Sequence, residues 1–117
     1  MKNVLDDNVL NNLSLLNDED DGENSFLNEV IDIFLDTSPP LFQELYQSIS
    51  ANDERKIQYY AHRLKGLCAN IGAVDLQCIF ADIENQGAES GEANKIEFNV
   101  QNVFKETKVQ LQSEWRR

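Results

Sequence analysis

Basic residues are scarce in this 117-residue chain, where 10 Lys and Arg stand against 21 Asp and Glu and leave a formal net charge of −11. The scarcity argues against nucleic acid as a partner, because contacts to phosphates need clusters of Lys and Arg. It argues equally against binding to an anionic membrane surface. A phosphorylated or acidic partner must therefore be met by a local basic patch, since the overall field repels it.

Long hydrophobic runs are also missing. No stretch approaches the roughly 20 apolar residues of a membrane span, and residues 1–20 hold no apolar run long enough for a signal peptide. We therefore expect a cytoplasmic protein. The initial Met and the length favour one free-standing domain over residues 1–117, while a module cut from a longer protein is the alternative. A chain of this length buries a core without metal or disulfide support.

Cysteine and histidine are nearly absent, with Cys68, Cys78 and His62 as the complete set. Both cysteines lie in segments with apolar residues at helical spacing. We predict two small core residues in a reducing compartment, and a disulfide between them is the less favoured alternative. Two thiols and one imidazole do not make a zinc site.

An acidic run at residues 17–24 has the composition of a calcium loop but not its spacing. With Gly22 at the sixth position of such a loop, the twelfth position falls on Asn28, where a bidentate Glu is required. We predict a solvated acidic connector, in which Asn24 or Ser25 caps the following helix. Metal binding by this run is the least favoured function.

Apolar residues recur at helical spacing along nearly the whole chain, and strand-like alternation does not persist anywhere. The pattern predicts five helices, at about residues 6–16, 25–50, 53–71, 74–86 and 95–115. Short connections between amphipathic helices of this length favour an all-α fold, an antiparallel up-and-down four-helix bundle over residues 25–115. Residues 1–24 would add a short extra N-terminal helix, capping one end of the bundle, and the acidic connector.

The two prolines of the chain, Pro39 and Pro40, fall inside the second predicted helix. Proline disfavours helical dihedral angles in the preceding residue and removes a backbone donor. We therefore expect a kink or a restart, with Ser38 as a new N-cap. The apolar stripe stays nearly in phase across the prolines, which favours one bent rod.

The third predicted helix carries the histidine on its outward face. Its apolar residues follow the i, i+3, i+4, i+7 rule and define the buried stripe: Ile57, Tyr60, Ala61, Leu64, Leu67, Cys68 and Ile71. The same phase turns a second set outward: Arg55, Gln58, Tyr59, His62, Lys65, Gly66 and Ala69. His62 is therefore expected to project into solvent.

The neighbours of His62 distinguish it from an ordinary surface histidine. Gly66 follows one turn later on the same side, although glycine inside a helix costs about 1 kcal/mol relative to alanine. Such a glycine indicates a packing or close-approach requirement. Lys65 can place an ammonium near an anion bound to the ring, and Ala69 extends the patch of small residues. This low, locally positive surface suits a second macromolecule rather than a small-molecule ligand.

An exposed neutral imidazole is a competent nucleophile near physiological pH. Its attack on a phosphoryl group would form an N-phosphohistidine, whose new negative charge Lys65 would offset, with Arg63 as a second cation. No general base, Gly-rich phosphate loop or acidic metal cluster accompanies His62 in the sequence. The metal and the leaving group are therefore expected from a partner.

These residues resemble a known family. The run His62-Arg63-Leu64-Lys65-Gly66, followed by Gly72-Ala73, looks like the signature of histidine-containing phosphotransfer (HPt) domains. Two further segments resemble the family's neighbouring helices: Phe26-Leu27 to Ile33-Phe34-Leu35 with Thr37-Ser38-Pro39, and Leu76 to Ile83-Glu84. The likeness covers residues 25–90, and the last helix fits by length and pattern. Leu67-Cys68 departs from the small pair commoner in the family.

The resemblance implies roles for individual residues. His62 would be the phosphorylated residue, Lys65 would help to hold the phosphoryl group, and Gly66 would let a receiver domain dock. Glu84 would orient the imidazole from the neighbouring helix, with a solvent-facing glutamate as the equal alternative. Tyr59 would rim the docking surface.

The resemblance also implies partners. The chain would be a phosphocarrier without catalytic machinery of its own, which takes phosphate from a receiver aspartate or hybrid sensor kinase and passes it to another response-regulator receiver. It would need no cofactor, with Mg²⁺ supplied by the receiver, and we expect a monomer. The alternative is a helical interaction module that binds receivers or kinases without phosphotransfer. His62, Lys65 and Gly66 together favour the relay, because a pure binder has no need of the imidazole.

Overall fold

The computed structural model describes residues 3–16 and 25–116, and this part of the chain is helical without strands. Its five α-helices are α1 (Asp7–Ser14), α2 (Ser25–Ser50), α3 (Glu54–Ile71), α4 (Val74–Gln86) and α5 (Ala93–Gln110). A 3-10 turn (Ser90–Glu92) precedes α5 and a π-helical turn (Leu111–Trp115) extends it. The all-α prediction is confirmed. The predicted acidic connector and calcium-like run at residues 17–24 lie outside the described residues.

The four long helices enclose one apolar core. Phe42 of α2 contacts two other helices in this core, with its ring 5.7 Å from that of Phe80 on α4 and 5.1 Å from that of Phe104 on α5. These aromatic contacts add to the free energy gained from burial alone, and they link three helices of the predicted bundle. Separately, an ion pair between Asp32 and Arg116 joins α2 to the C-terminal turn.

The N-terminal segment covers one end of this bundle. Val4, Leu5 and Leu10 are buried, and the Asp6 N–H donates a hydrogen bond of 2.7 Å to the carbonyl oxygen of Gly72. Gly72 has a φ of 75° and ends α3 in the left-handed conformation. A Cβ there would lie 3.0 Å from the Asp6 carbonyl oxygen, so both backbone strain and space require glycine. The predicted helix end at Gly72 is confirmed.

The prolines do not interrupt α2, which runs unbroken from Ser25 to Ser50. The predicted restart is therefore wrong, and Ser38 is not an N-cap. Its side chain is fully buried inside the helix, and its hydroxyl has no hydrogen-bond partner among the described residues. The physical reason is that the apolar stripe is buried on both sides of the prolines, and this packing outweighs a cost of about 3 kcal/mol for an interior proline.

The two cysteines differ in their surroundings. Cys68 is buried, as predicted, and burial raises the pKa of its thiol to about 12. Cys78 is exposed, so its predicted core position is wrong. The buried face of α4 is formed by Leu76, Phe80 and Ile83, and Cys78 is turned about 200° from Leu76 around the helix axis. Both thiols are free.

No helix within residues 3–16 and 25–116 is long and apolar enough to cross a membrane. The same range contains no group of three His, Cys, Asp or Glu side chains placed to hold a metal ion.

Leu64 tests the assignment of the buried face of α3, because its side chain has no exposed area. We expect Leu64→Ala to lower the free energy of unfolding by ~2–5 kcal/mol, through lost burial and the cavity left behind. Urea denaturation followed by circular dichroism measures this. Leu67→Ala is the matched control, since Leu67 is only partly buried, and its loss should be smaller. An equal loss at both positions would contradict the deeper burial of Leu64 that the structure shows.

Candidate functional site

The turn between α3 and α4 determines which residues of the two helices meet. Ala73 lies between α3 and α4 as the N-cap of α4. His62 precedes it by 11 residues and Glu84 follows it by 11. Residues equally distant from a tight turn face each other when the two helices run antiparallel. The hairpin therefore brings a carboxylate of α4 beside the imidazole of α3.

Glu84 contacts both functional side chains of α3, one with each carboxylate oxygen. Nδ1 of His62 lies 2.5 Å from Oε2 of Glu84, and Nζ of Lys65 donates to Oε1 over 2.5 Å. The exposed fraction is 69% for the His62 side chain and 19% for that of Glu84. The carboxylate is thus shielded from solvent while the ring above it is open.

The carboxylate determines which ring nitrogen is free. An ionised carboxylate only accepts hydrogen bonds, so Nδ1 of His62 must carry the hydrogen that it donates to Glu84. In the neutral imidazole, the lone pair then belongs to Nε2. The ring nitrogen that is available as a nucleophile is therefore Nε2.

The contacts of Glu84 keep it ionised. The hydrogen bond from Lys65 lowers the pKa of the Glu84 carboxyl, the bond from His62 lowers it further, and burial opposes both. Since this pKa is lower in the folded state, the stabilisation is present above the ordinary carboxyl pKa of about 4.3 and is lost as the pH falls through the lowered value. The Glu84 carboxylate is therefore ionised at neutral pH and accepts from both His62 and Lys65.

Gly66 leaves a bare position on the surface one turn beyond His62. It is exposed, and a Cβ placed there would meet no atom within 4 Å. Packing among the described residues therefore gives no reason for a glycine in the interior of α3. Ala69, one turn further, is half-buried, so the small-residue patch continues along the helix.

An aromatic and a cation lie on the other side of the imidazole. Tyr59 is 55% exposed, and its ring meets that of Tyr60 edge-on at 5.0 Å between centroids. The guanidinium carbon of Arg63 lies 5.9 Å from the centre of the Tyr59 ring, within the range of a cation–π contact. Both side chains are exposed and together border the open ring of His62.

This arrangement combines an exposed imidazole with a carboxylate that is already bound to it. The family model of the Hpt domain matches residues 29–115. The chain belongs to the Hpt domain family. Members of this family carry phosphoryl groups in phosphorelays, so this Hpt domain is a phosphotransfer module of signal transduction.

The fold of this Hpt domain has a solved counterpart. The crystal structure of histidine-containing phosphotransfer protein B (HptB) from Pseudomonas aeruginosa PAO1 superposes with a TM-score of 0.79. The two chains are 23% identical, and the match covers 97% of this chain and 96% of that one. At this identity the likeness concerns the fold, which is the Hpt helical bundle. The comparison with curated proteins gave no significant match.

Two features of the site were not predicted from the sequence of this Hpt domain. Lys65 was expected to help hold a phosphoryl group, and no contact between it and Glu84 was predicted, whereas its ammonium is bound to Glu84. Arg55 and Gln58 were placed on the outward face only, whereas they line a cleft beside His62. The contact between Lys65 and Glu84 could have been predicted from the spacing around the α3–α4 turn. His62 and Glu84 are equally distant from Ala73, which places Glu84 within reach of both the imidazole and the ammonium.

Glu84 can be tested by substitution in this Hpt domain. We expect Glu84→Ala to populate the Nε2–H tautomer of His62, because the acceptor that holds the hydrogen on Nδ1 is gone. Glu84→Gln retains an acceptor and should preserve the Nδ1–H form. The ¹⁵N chemical shifts of the ring report the tautomer directly. Asp82→Ala, an exposed carboxylate of the same helix, is the control. An unchanged tautomer in Glu84→Ala would contradict the assigned role.

Proposed function

We propose that this Hpt domain is a phosphorelay intermediate, which accepts a phosphoryl group on His62 from a receiver aspartate and passes it to another receiver. One observation carries the proposal. The imidazole of His62 is open to solvent while its Nδ1 is bound to Glu84, which leaves Nε2 as the nitrogen available to a partner. The bare surface at Gly66 gives that partner room to approach.

The proposed transfer requires no general base. The Nε2 lone pair attacks the phosphorus of the aspartyl phosphate, an N–P bond forms, and the P–O bond to the aspartate breaks with its electron pair leaving on the carboxylate. The hydrogen on Nδ1 stays in place, so the ring gains a positive charge that the Glu84 carboxylate offsets. The reverse sequence of bonds transfers the group to the next receiver.

Lys65 is proposed to shift its ammonium from Glu84 toward the phosphoryl oxygens once His62 is modified. The Glu84 carboxylate and the phosphoryl group then compete for the ammonium of Lys65, whose side chain is one-third exposed. The Mg²⁺ that accompanies receiver aspartates would come with the partner. The proposed partners are thus receiver domains and hybrid sensor kinases in the cytoplasm, met by a monomer of this chain.

Replacement of Lys65 tests its contribution. We expect Lys65→Ala to slow transfer or shorten the lifetime of the phosphohistidine by about two- to fivefold, because a partly exposed charge contact contributes up to ~1 kcal/mol. Quenched-flow transfer of radiolabelled phosphate and the decay of the purified phosphoprotein measure the two effects. Lys105→Ala on α5 is the control, since Lys105 is exposed and lies outside the site. Equal rates in both variants would remove Lys65 from the mechanism.

The decisive experiment incubates the protein with phosphorylated receiver domains and Mg²⁺. The expected product carries phosphate on His62 that is labile in acid and stable in base, located by mass spectrometry of proteolytic fragments. The absence of label across a full set of receivers would overturn the proposal. Tight binding of a receiver without label would instead support the alternative, a helical interaction module.

A further inference from the structure

A cleft of about 460 Å³ opens beside the imidazole, toward the beginning of α3. It is lined by Arg55, Gln58, Tyr59, His62, Arg63 and Glu84, and we call it the arginine cleft. Arg55 lies two helical turns before His62 and shares its face of α3. The cleft is therefore continuous with the surface over which a receiver would approach the ring.

Positive charge exceeds negative charge among the described residues that line the arginine cleft, because two arginines stand against one carboxylate. Neither Arg55 nor Arg63 forms an ion pair within residues 3–16 and 25–116. Among the described residues, Glu84 is the one carboxylate that lines the cleft, and both of its oxygens are engaged by His62 and Lys65. On a chain with a net charge of −11, two guanidinium groups free of carboxylates form a local site for an anion.

Tyr59 gives the arginine cleft an apolar wall. Its ring is held edge-on by Tyr60 and lies beneath the guanidinium of Arg63, yet more than half of it is exposed. Exposed Tyr and Arg side chains that are already ordered lose little entropy on binding, and these two residue types are enriched at the energetic centres of protein interfaces. The wall suits an acidic side chain that is flanked by an apolar one.

The adjoining surface has the opposite character. A second cleft shares Arg55, Gln58 and Glu84 with the arginine cleft and extends toward the α4–α5 connection, where Glu54 and Glu89 also line it. An acidic partner is repelled there and attracted on the side of Arg55 that faces His62. The charge of the surface thus changes from negative to positive near Arg55, and an acidic group of the partner is expected on the positive side.

We propose that the arginine cleft selects the partner receiver by taking an Asp or Glu side chain on the receiver surface next to its phosphorylated aspartate. The inference rests on the proposed function, since it names the partner chemistry of the same site. Arg55 is the residue that provides specificity, because it contacts neither His62 nor Glu84 by a hydrogen bond or ion pair within the described residues.

The test first ranks phosphorylated receivers by their rate of transfer to the wild-type chain and continues with the fastest. Arg55→Glu should raise the KM for that receiver at least about tenfold, because a like charge then faces the acidic side chain, and should leave kcat little changed. The decrease of kcat/KM with rising salt should flatten, since the attraction that salt screens is lost. Arg55→Lys should retain most of the affinity.

Phosphoramidate separates this inference from the proposed function, because it labels an accessible histidine without a docking partner. Phosphoramidate should still label Arg55→Glu, with a decrease much smaller than the loss of transfer from the receiver, and Lys105→Glu on α5 should behave as the wild type with both donors. A receiver variant with its acidic residue changed to Lys should restore transfer to Arg55→Glu. An unchanged KM in Arg55→Glu would overturn the inference alone. Failure of every receiver to label the wild-type chain would overturn both proposals.

Discussion

Replacing His62 with glutamine is expected to abolish phosphate acceptance while the fold persists. The side chain of His62 is 69% exposed, so the substitution removes little buried area, and an exposed change of this kind alters the free energy of unfolding by about 0.5 kcal/mol or less. The amide of glutamine can still donate a hydrogen bond to Glu84. It offers no nucleophilic nitrogen lone pair, however, and no N–P bond can form.

The measurement uses both phosphorylated receivers and phosphoramidate, with thermal unfolding as the check on the fold. Neither donor should label His62→Gln. Asn70→Gln is the matched control, because Asn70 is an exposed residue of the same helix, and it should be labelled at the wild-type rate. Base-stable label that persists in His62→Gln would mean that another residue receives the phosphate, and the proposed mechanism would then be wrong.

The fold was predictable because its main determinant is local. The stripe from Ile57 to Ile71 on α3 follows one helical period, and the same phase that buries Ala61 and Leu64 exposes His62. Periodicity of this kind can be read within a single helix. It needs no knowledge of which helices are neighbours, so the exposed position of His62 could be predicted from residues less than three turns away.

The errors arose where local rules compete with packing. Pro39 and Pro40 disfavour a helix locally, but the buried stripe on both sides keeps α2 continuous. Cys78 belongs to an apolar segment, but the register of α4 turns it to solvent. Both outcomes depend on the free energy gained by burial across several helices, which the sequence of one segment does not contain.

The chemical details of the site depend on the pairing of α3 with α4. The nucleophile and its cation were predicted on one helix, whereas the Glu84 contact to Lys65 joins residues 19 positions apart. The contact of the same carboxylate with Nδ1 of His62 determines the tautomer of the ring, and its contact with Lys65 restrains the ammonium. The sequence identified the residues of the site, but the contacts that Glu84 makes with His62 and Lys65 could be assigned only from the geometry of the α3–α4 hairpin.

Gly66→Gln should separate docking from chemistry more sharply than any other substitution. Glycine inside a helix costs about 1 kcal/mol relative to a good helix former, and a Cβ at Gly66 meets no atom within 4 Å. The variant should therefore be as stable as the wild type or more stable, by up to ~1 kcal/mol in urea denaturation. The longer side chain would nevertheless fill the bare surface beside His62, so transfer from a receiver should be lost.

A matched control for Gly66→Gln exists at Gly91, where a Cβ also meets no atom within 4 Å and which lines neither cleft beside Arg55. Gly91→Gln should transfer normally. Phosphoramidate, which is far smaller than a receiver, should still label His62 in both variants. Such a result would show that the ring remains reactive and that only the approach of a macromolecule is blocked. Normal transfer from a receiver to Gly66→Gln would instead show that no partner comes close to this position, and the bare surface would lose its explanation.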